Sequence, residues 1–234
     1  MKSVFVSGSI SIKDIPSKII QSIETIESKN FTVLVGDAPG VDALVQDKLA
    51  RDGYKNVLVY TVCKKPRNCL SDHFHIINVP VDHGIKSQRK RQEEKDRCMT
   101  EAADYGLVLW NGKSRGSFNN IIRCIQLGKT AKVYLAPEDR FLDKTEITES
   151  GVNAVFKKYA GLTLRELLQL LNHEGRDGIQ TPEDLKSYLI NQSIVEVKDK
   201  DMYPAKGYDR YFHVEKYRGH TNLRYTPDLI ELIE

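Results

Sequence analysis

Residues 33–46 read VLVGDAPGVDALVQ. A β-branched run, Val33-Leu34-Val35, breaks at Gly36-Asp37-Ala38-Pro39-Gly40. Apolar residues then return with helical spacing from Val41. A continuous apolar run, a Gly/Pro punctuated turn and a 3.6-residue period together predict a strand, a tight turn and a helix. The same pattern recurs on both sides of this stretch. SVFVSG (3–8) reads as a first strand, followed by a helix over about 14–28 with Ile15, Ile19, Ile23 and Ile26 on one face. Asp14 is its expected N-cap, with Pro16 in the first turn. FTVLVG (31–36) is the second strand, and 41–53 a helix ended by Gly53. NVLVYTV (56–62) is the third strand, 87–104 a long charged helix, and YGLVLW (105–110) the fourth strand. Residues 117–128 form a helix stopped by Gly128, and AKVYLA (131–136) is the fifth strand.

These strands are short, apolar and not alternating, which is the pattern of strands covered by helices on both faces. With right-handed crossovers they predict an α/β, Rossmann-like, doubly wound parallel sheet of about five strands in the order 3-2-1-4-5. The stretch 63–86 is too long for a simple connection, and HIINVPV (75–81) reads as a small extra hairpin or flap. Polar residues over 137–150 mark a boundary, which gives domains at 1–140 and 150–234. The second has helical periodicity in VNAVFKKYAGLTLRELLQLLN, then a capped helix from Thr181-Pro182. Two strands, SIVEVKD and RYFHVEKY, flank the tip MYPAKGY, and TPDLIELIE is a last helix. This order resembles a small winged-helix module of mixed α+β type.

The 234 residues are 40% apolar and 29% charged, and no run approaches the roughly 18 apolar residues of a membrane helix. The N-terminus reads as a strand rather than a leader, so a cytoplasmic protein is expected. Four irregularly spaced cysteines read as free thiols. Cys63, Cys69, His73 and His75 fit no closed zinc spacing, and no metal is expected. Net charge is +3 and unevenly spread: residues 1–150 hold 23 basic against 19 acidic side chains, and 151–234 hold 12 against 13.

Ligands of open α/β sheets bind beyond the carboxyl ends of the strands. Three predicted strand ends there carry small polar residues: Ser7-Gly8-Ser9, Gly36 to Gly40, and Asn111 to Ser117. Glycines allow close approach of backbone N–H groups to an anion, and a helix N-terminus adds partial positive charge. The set suits a phosphate or pyrophosphate. Gly8, Gly36, Gly40, Gly112 and Gly116 would shape the pocket, with Ala38 and Val41 in its wall. Ser7, Ser9, Lys113, Ser114 and Ser117 would hold phosphate. Asp37 is expected to meet a ribose hydroxyl. Asp42 is either a second carboxylate at the ligand or an anchor for its own turn. Arg97 is either a phosphate contact or a solvated member of a charged helix. Trp110 either stacks on a base or fills the core. No Walker pattern and no GxGxxG fingerprint is present.

Gly36-x-Ala38-x-Gly40-Val41-Asp42 resembles the GxARGxD-type turn of the SLOG superfamily, which includes LOG-type phosphoribohydrolases, DprA and a YspA-like branch. WNGKSRGSFNNI (110–121) is similar to the WDGKSxGTxNNI segment of YspA-like members. KDRCM (95–99), followed by Ala103-Asp104, also fits. The resemblance covers about residues 3–136 and implies a pocket for a nucleotide or nucleotide-derived ligand, with no other cofactor. In LOG-type enzymes a glutamate of the loop after the fourth strand acts in cleavage of the N-ribosidic bond. That position corresponds here to Asn120, and an amide is neither a general base nor a charge stabiliser. The expectation is therefore a nucleotide-binding sensor or regulatory module. The alternatives are a nucleotide hydrolase, with Asp37, Arg97 and Asn120 as its candidate catalytic residues, and a DprA-like binder of single-stranded DNA.

The last alternative draws on residues 202–225. There Lys206, Arg210, Lys216, Arg218 and Arg224 outweigh Asp209 and Glu215, and Tyr203, Tyr208, Tyr211, Tyr217 and Tyr225 interleave. Such a wing either contacts nucleic acid or packs its tyrosines beneath a small sheet. SLOG-like proteins self-associate, so a homodimer is the expected assembly.

Overall fold

The computed structural model describes residues 1–82, 84–175, 178–217 and 219–233, and for Tyr217 the backbone alone. The chain forms two compact units, Met1–Val152 and Asn153–Glu234. The first is α/β. Its strands are β1 (Ser3–Gly8), β2 (Thr32–Gly36), β3 (Val57–Thr61), β4 (His75–Asn78), β5 (Tyr105–Trp110), β6 (Thr130–Leu135) and β7 (Arg140–Phe141). Helices α1 (Ser17–Ser28), α2 (Val41–Arg51), α3 (Gln88–Ala102) and α4 (Arg115–Gln126) lie between them in sequence. The sheet order is β4-β3-β2-β1-β5-β6-β7, with every pairing parallel except β6 with β7.

β1 is central. Val4 sits opposite Val33 of β2 on one side and Tyr105 of β5 on the other. The chain fills one side of β1 with β2, β3 and β4, then returns through α3 to β5 on the other side. This reversal opens a crevice at the carboxyl ends of β1 and β5. Val4, Val6, Val33, Val35, Leu107 and Leu109 pack with Ile19, Ile23, Val45 and Leu49 of α1 and α2 in one buried cluster. Strands enclosed in this way have no polar face to present, and their near-continuous apolar sequence follows.

Several boundaries differ from the sequence expectations. α1 starts at Ser17 rather than near Asp14, because Pro16 is extended (φ −62°, ψ 149°) and occupies the N-cap position without a side-chain cap. A proline also biases the residue before it away from helical backbone. HIIN is not a hairpin or flap. It is β4, added parallel to β3, with Val59 opposite Ile76. The sheet has seven strands rather than about five, since β4 and β7 extend its two ends.

The second unit departs further. After α5 (Glu149–Ala160), which carries the boundary, come α6 (Leu164–His173) and α7 (Pro182–Asn191). Both have complete capping boxes, Thr163 with Glu166 and Thr181 with Asp184. The strands make two separate antiparallel hairpins. β8 (Val195–Lys198) pairs with β9 (Asp201–Pro204), and β10 (Phe212–Tyr217) with β11 (His220–Tyr225). The expected strand SIVEVKD thus finds its partner inside the expected tip. Asp199 and Lys200 both take positive φ (52° and 72°), the backbone of a tight hairpin turn. The last segment is a 3₁₀ helix over Pro227–Leu232, not an α-helix. Leu167, Leu171, Leu185, Leu189, Phe212, Tyr225 and Leu229 are among the buried residues of this unit's core.

Candidate ligand-binding site

A cavity of about 460 Å³ opens at the crevice of the first unit. The turn after β1, the turn between β2 and α2, α3, and the start of α4 all contribute to its lining. The glycines explain how the first two turns come so close. A Cβ on Gly8 would meet the Leu109 carbonyl and lie 2.7 Å from Val41 Cγ2. Gly40 has φ +79°, and a Cβ there would lie 2.6 Å from Ile10 Cα. Glycine at both positions lets the end of β1 rest against the start of α2.

One end of the cavity is a run of hydroxyls. The Ser9 and Ser114 hydroxyls share a hydrogen bond of 2.7 Å, and Ser114 Oγ donates to Ser117 Oγ at 2.9 Å. The Asn111 side-chain oxygen accepts from the N–H groups of Lys113 and Ser114 and fixes the turn before α4. Ser114 is the N-cap of α4 but makes no side-chain cap, because its hydroxyl points along the serine chain. The helix therefore presents its N-terminal partial charge to the cavity. Arg115 and Gly116, in the first turn, also line it.

The other end is charged. Lys95 of α3 is 2% exposed, and its Nζ lies 3.4 Å from Asp96, 3.7 Å from Asp37 and 4.0 Å from Asp42. Burial works against the Lys95 charge, but the three carboxylates outweigh it and raise its pKa. Burial pushes Asp42 up to about 6 against the pull of Lys95. Burial likewise raises Asp96, again opposed by Lys95. Asp37 goes the other way. Burial alone would raise it, but hydrogen bonds from Arg67 and Thr61, with the Lys95 charge, hold it at about 2. Asp42, Lys95, Asp96 and Arg67 all line the cavity.

The sequence candidates separate into three groups. Ser7, Gly8, Ser9, Ala38, Asp42, Ser114, Gly116, Ser117 and Asn120 line the cavity. Gly36, Gly40, Val41 and Gly112 build its walls from behind. A Cβ on Gly36 would overlap the Asp42 carboxylate and lie 2.6 Å from Lys95 Nζ, so Gly36 makes room for the charged cluster rather than facing a ligand. Gly112 supplies a positive φ of 78° in the turn before α4. The last group stands apart. Asp37 is not free for a ribose hydroxyl: it is fully buried and accepts from Thr61 Oγ1 (2.7 Å), Arg67 N (3.1 Å) and Arg67 Nη2 (2.6 Å). Arg97 is exposed outside the cavity and bridges Glu94 and Glu101. Trp110 is fully buried, its Nε1 donating to the Ser114 carbonyl, so its ring is not offered to a base. Lys113 is exposed and outside the lining.

Asn120 is itself committed. Its Nδ2 donates to Ser7 Oγ at 3.2 Å, and its Oδ1 accepts from Arg123 at 2.8 Å. Among the described residues no three His, Cys, Asp or Glu side chains gather to hold a metal ion.

Sequence reasoning missed Lys95, Asp96, Arg67 and Gln92. The first two sat inside the KDRCM segment, where Arg97 drew attention although Lys95 lies one helical turn before Met99, which is buried with it. The period of α3 could have placed Lys95 inward. Arg67 carried no local signal: it comes from the long 62–74 connection and spans from Asp37 to Gln92 Oε1 at 2.9 Å.

In the second unit most of the described tyrosines of the expected wing pack into the core. Tyr211 and Tyr225 are buried, Tyr208 packs against their cluster, and Tyr203 accepts from Thr221 Oγ1 at 3.1 Å. Arg218 lies outside the described residues, as does the Tyr217 side chain. Among the described residues no helix is long and apolar enough to cross a membrane. Compared with known proteins, the chain matches no protein-family model and no curated protein.

Proposed function

We propose that the first unit binds a nucleotide or nucleotide-derived ligand in this cavity and acts as a sensing or regulatory module. The observation that carries this reading is the serine chain Ser9–Ser114–Ser117 at the uncapped start of α4. Three hydroxyls and a helix N-terminus at the mouth of a topological crevice suit a phosphate group. The cavity is within the usual size range of small-molecule sites. The Lys95–Asp42–Asp96 end then meets the polar remainder of the ligand, where carboxylates accept from sugar hydroxyls. The likeness of residues 36–42 and 110–121 to SLOG segments, and the Rossmann-like order it implies, support the same reading.

The test is a thermal-shift screen of the full chain against nucleoside mono- and diphosphates, NAD, ADP-ribose and cyclic nucleotides, with product analysis of every hit. A ligand present at 100 times its Kd adds about 2.7 kcal/mol of stability. A hit that is bound and recovered intact supports the reading. The absence of any shift across the panel would overturn it.

One observation favours a second reading, a nucleotide hydrolase. Asp42, held at about 6 by burial, lines the same cavity as Asp96, and both lie within 4.0 Å of the Lys95 ammonium. A carboxyl poised near neutral pH, as Asp42 is, is suited to acid–base work. Turnover of a hit, abolished by Asp42→Asn with ligand affinity retained, would establish this reading over the first.

A further inference from the structure

A second cavity, of about 300 Å³, lies at the opposite edge of the sheet, where the parallel strands begin. Its floor is apolar: Val4 of β1, Leu107 of β5 and Ile26 of α1, all buried. Phe31 and Tyr105 form one wall as a stacked pair, with centroids 6.1 Å apart and planes 13° from parallel. The hydroxyls on the α1 side offer little to a polar ligand. Ser22 and Thr25 donate to carbonyls one turn back in their own helix, Lys18 O at 3.0 Å and Gln21 O at 2.8 Å.

The charges are all of one sign. Lys2, Lys29 and Lys132 line the cavity and are exposed, and among the described residues no Asp or Glu lines it. None of the three lysines has an ion-pair partner among the described residues. Lys2 donates to the Tyr105 hydroxyl at 2.7 Å, and Lys132 lies 5.6 Å above the Phe141 ring. The Asp104 carboxylate, whose charge reaches Lys2, is held by Ser3, accepting its N–H at 2.7 Å and its hydroxyl at 3.0 Å. Other basic side chains of the unit, Lys18, Lys48, Arg51, Arg67 and Arg140 among them, are neutralised by carboxylates.

We propose that this groove is a binding site for a small amphipathic acid. An aliphatic or aromatic body would lie against Val4, Ile26, Leu107 and the Phe31–Tyr105 pair, with a carboxylate head among Lys2, Lys29 and Lys132. Burying an apolar body supplies the affinity, and the unpaired ammonium groups select the charge of the head. The site shares no residue with the cavity of the proposed function and stands or falls separately.

The experiment is isothermal titration of the full chain with decanoate, decanol and decyltrimethylammonium, below their micellar concentrations. Decanoate should bind one per chain, at least tenfold more tightly than decanol, and the cation should not bind. Lys29→Glu with Lys132→Glu, both at exposed positions, should weaken decanoate at least tenfold and leave decanol unchanged. Thr25→Trp should fill the groove and abolish both, with the circular dichroism spectrum retained. Equal binding of decanoate and decanol, indifference to the lysine reversal, or no saturable decanoate binding up to millimolar concentration would each overturn the proposal.

Discussion

At the residue scale the turn between β2 and α2 owes its shape to a buried charge cluster. Gly36 is required because any side chain there would displace the Asp42 carboxylate and the Lys95 ammonium behind it. Gly36→Ala should therefore cost about 1–3 kcal/mol in a urea titration, as overpacked sites do, and should weaken any ligand held by the cavity. Asp37 is the stability element of the same cluster. Its folded pKa, about 2, lies below the ordinary 3.8, so its contribution is complete above the ordinary value and disappears as pH falls from there toward 2. That shift corresponds to about 2 kcal/mol. Asp37→Asn should flatten the loss of stability over this acid range, measured by chemical denaturation at several pH values. An unchanged acid limb would show that Arg67 and Lys95 do not depend on the Asp37 charge.

At the element scale the start of α4 is the most informative segment. Gly116 sits in its first turn without a positive φ, and a Cβ there would have nothing within 4 Å, so a side chain is sterically free. Gly116→Asp removes a helix-weakening glycine and places an anion at the positive end of the dipole. Stability should hold or rise by up to about 1 kcal/mol, while affinity for a nucleotide hit of the screen should fall at least tenfold by titration. A retained affinity would remove the α4 start from the proposed phosphate site. The second unit offers a simpler case. Thr163 closes a complete capping box on α6, and Thr163→Ala should cost about 1 kcal/mol by thermal unfolding.

At the scale of the whole molecule, the sheet of the first unit sets a gradient of protection. β1, β2 and β5 have hydrogen-bonded neighbours on both sides, and Val6, Val35 and Val108 within them are buried. β4 and β7 are the two ends of the sheet, and Ile76 of β4 is exposed. Amide exchange followed by mass spectrometry should find β1, β2 and β5 slowest and β4 fastest among the parallel strands. Uniform protection across the sheet would contradict this ordering.

Local sequence was sufficient for the alternation of strands and helices from β1 to β6, β4 apart, because each element's period reflects its own burial. VFV, VLV and LVL are continuous apolar runs because helices cover both faces, and Ile19, Ile23 and Ile26 recur at helical spacing because one face of α1 is buried. The gathering of Ser7–Ser9, Ala38–Asp42 and Ser114–Ser117 was also legible, since strand ends of a parallel sheet share an edge. Long-range pairing decided the rest. β4 could join β3 only once a sheet edge existed, and RYFHVEKY needed β11, a segment whose polar residues conceal its strand. The roles of Asp37 and Lys95 were likewise invisible locally. Their pairing brings together β2, the 62–74 connection and α3, and a carboxylate's freedom depends on which charges the fold buries beside it. The order of residues along the chain dictated where backbone could turn and which faces were apolar. Which polar groups line the cavity, and which are consumed by one another, was settled by three-dimensional packing, because desolvation and charge pairing act through space rather than along the chain.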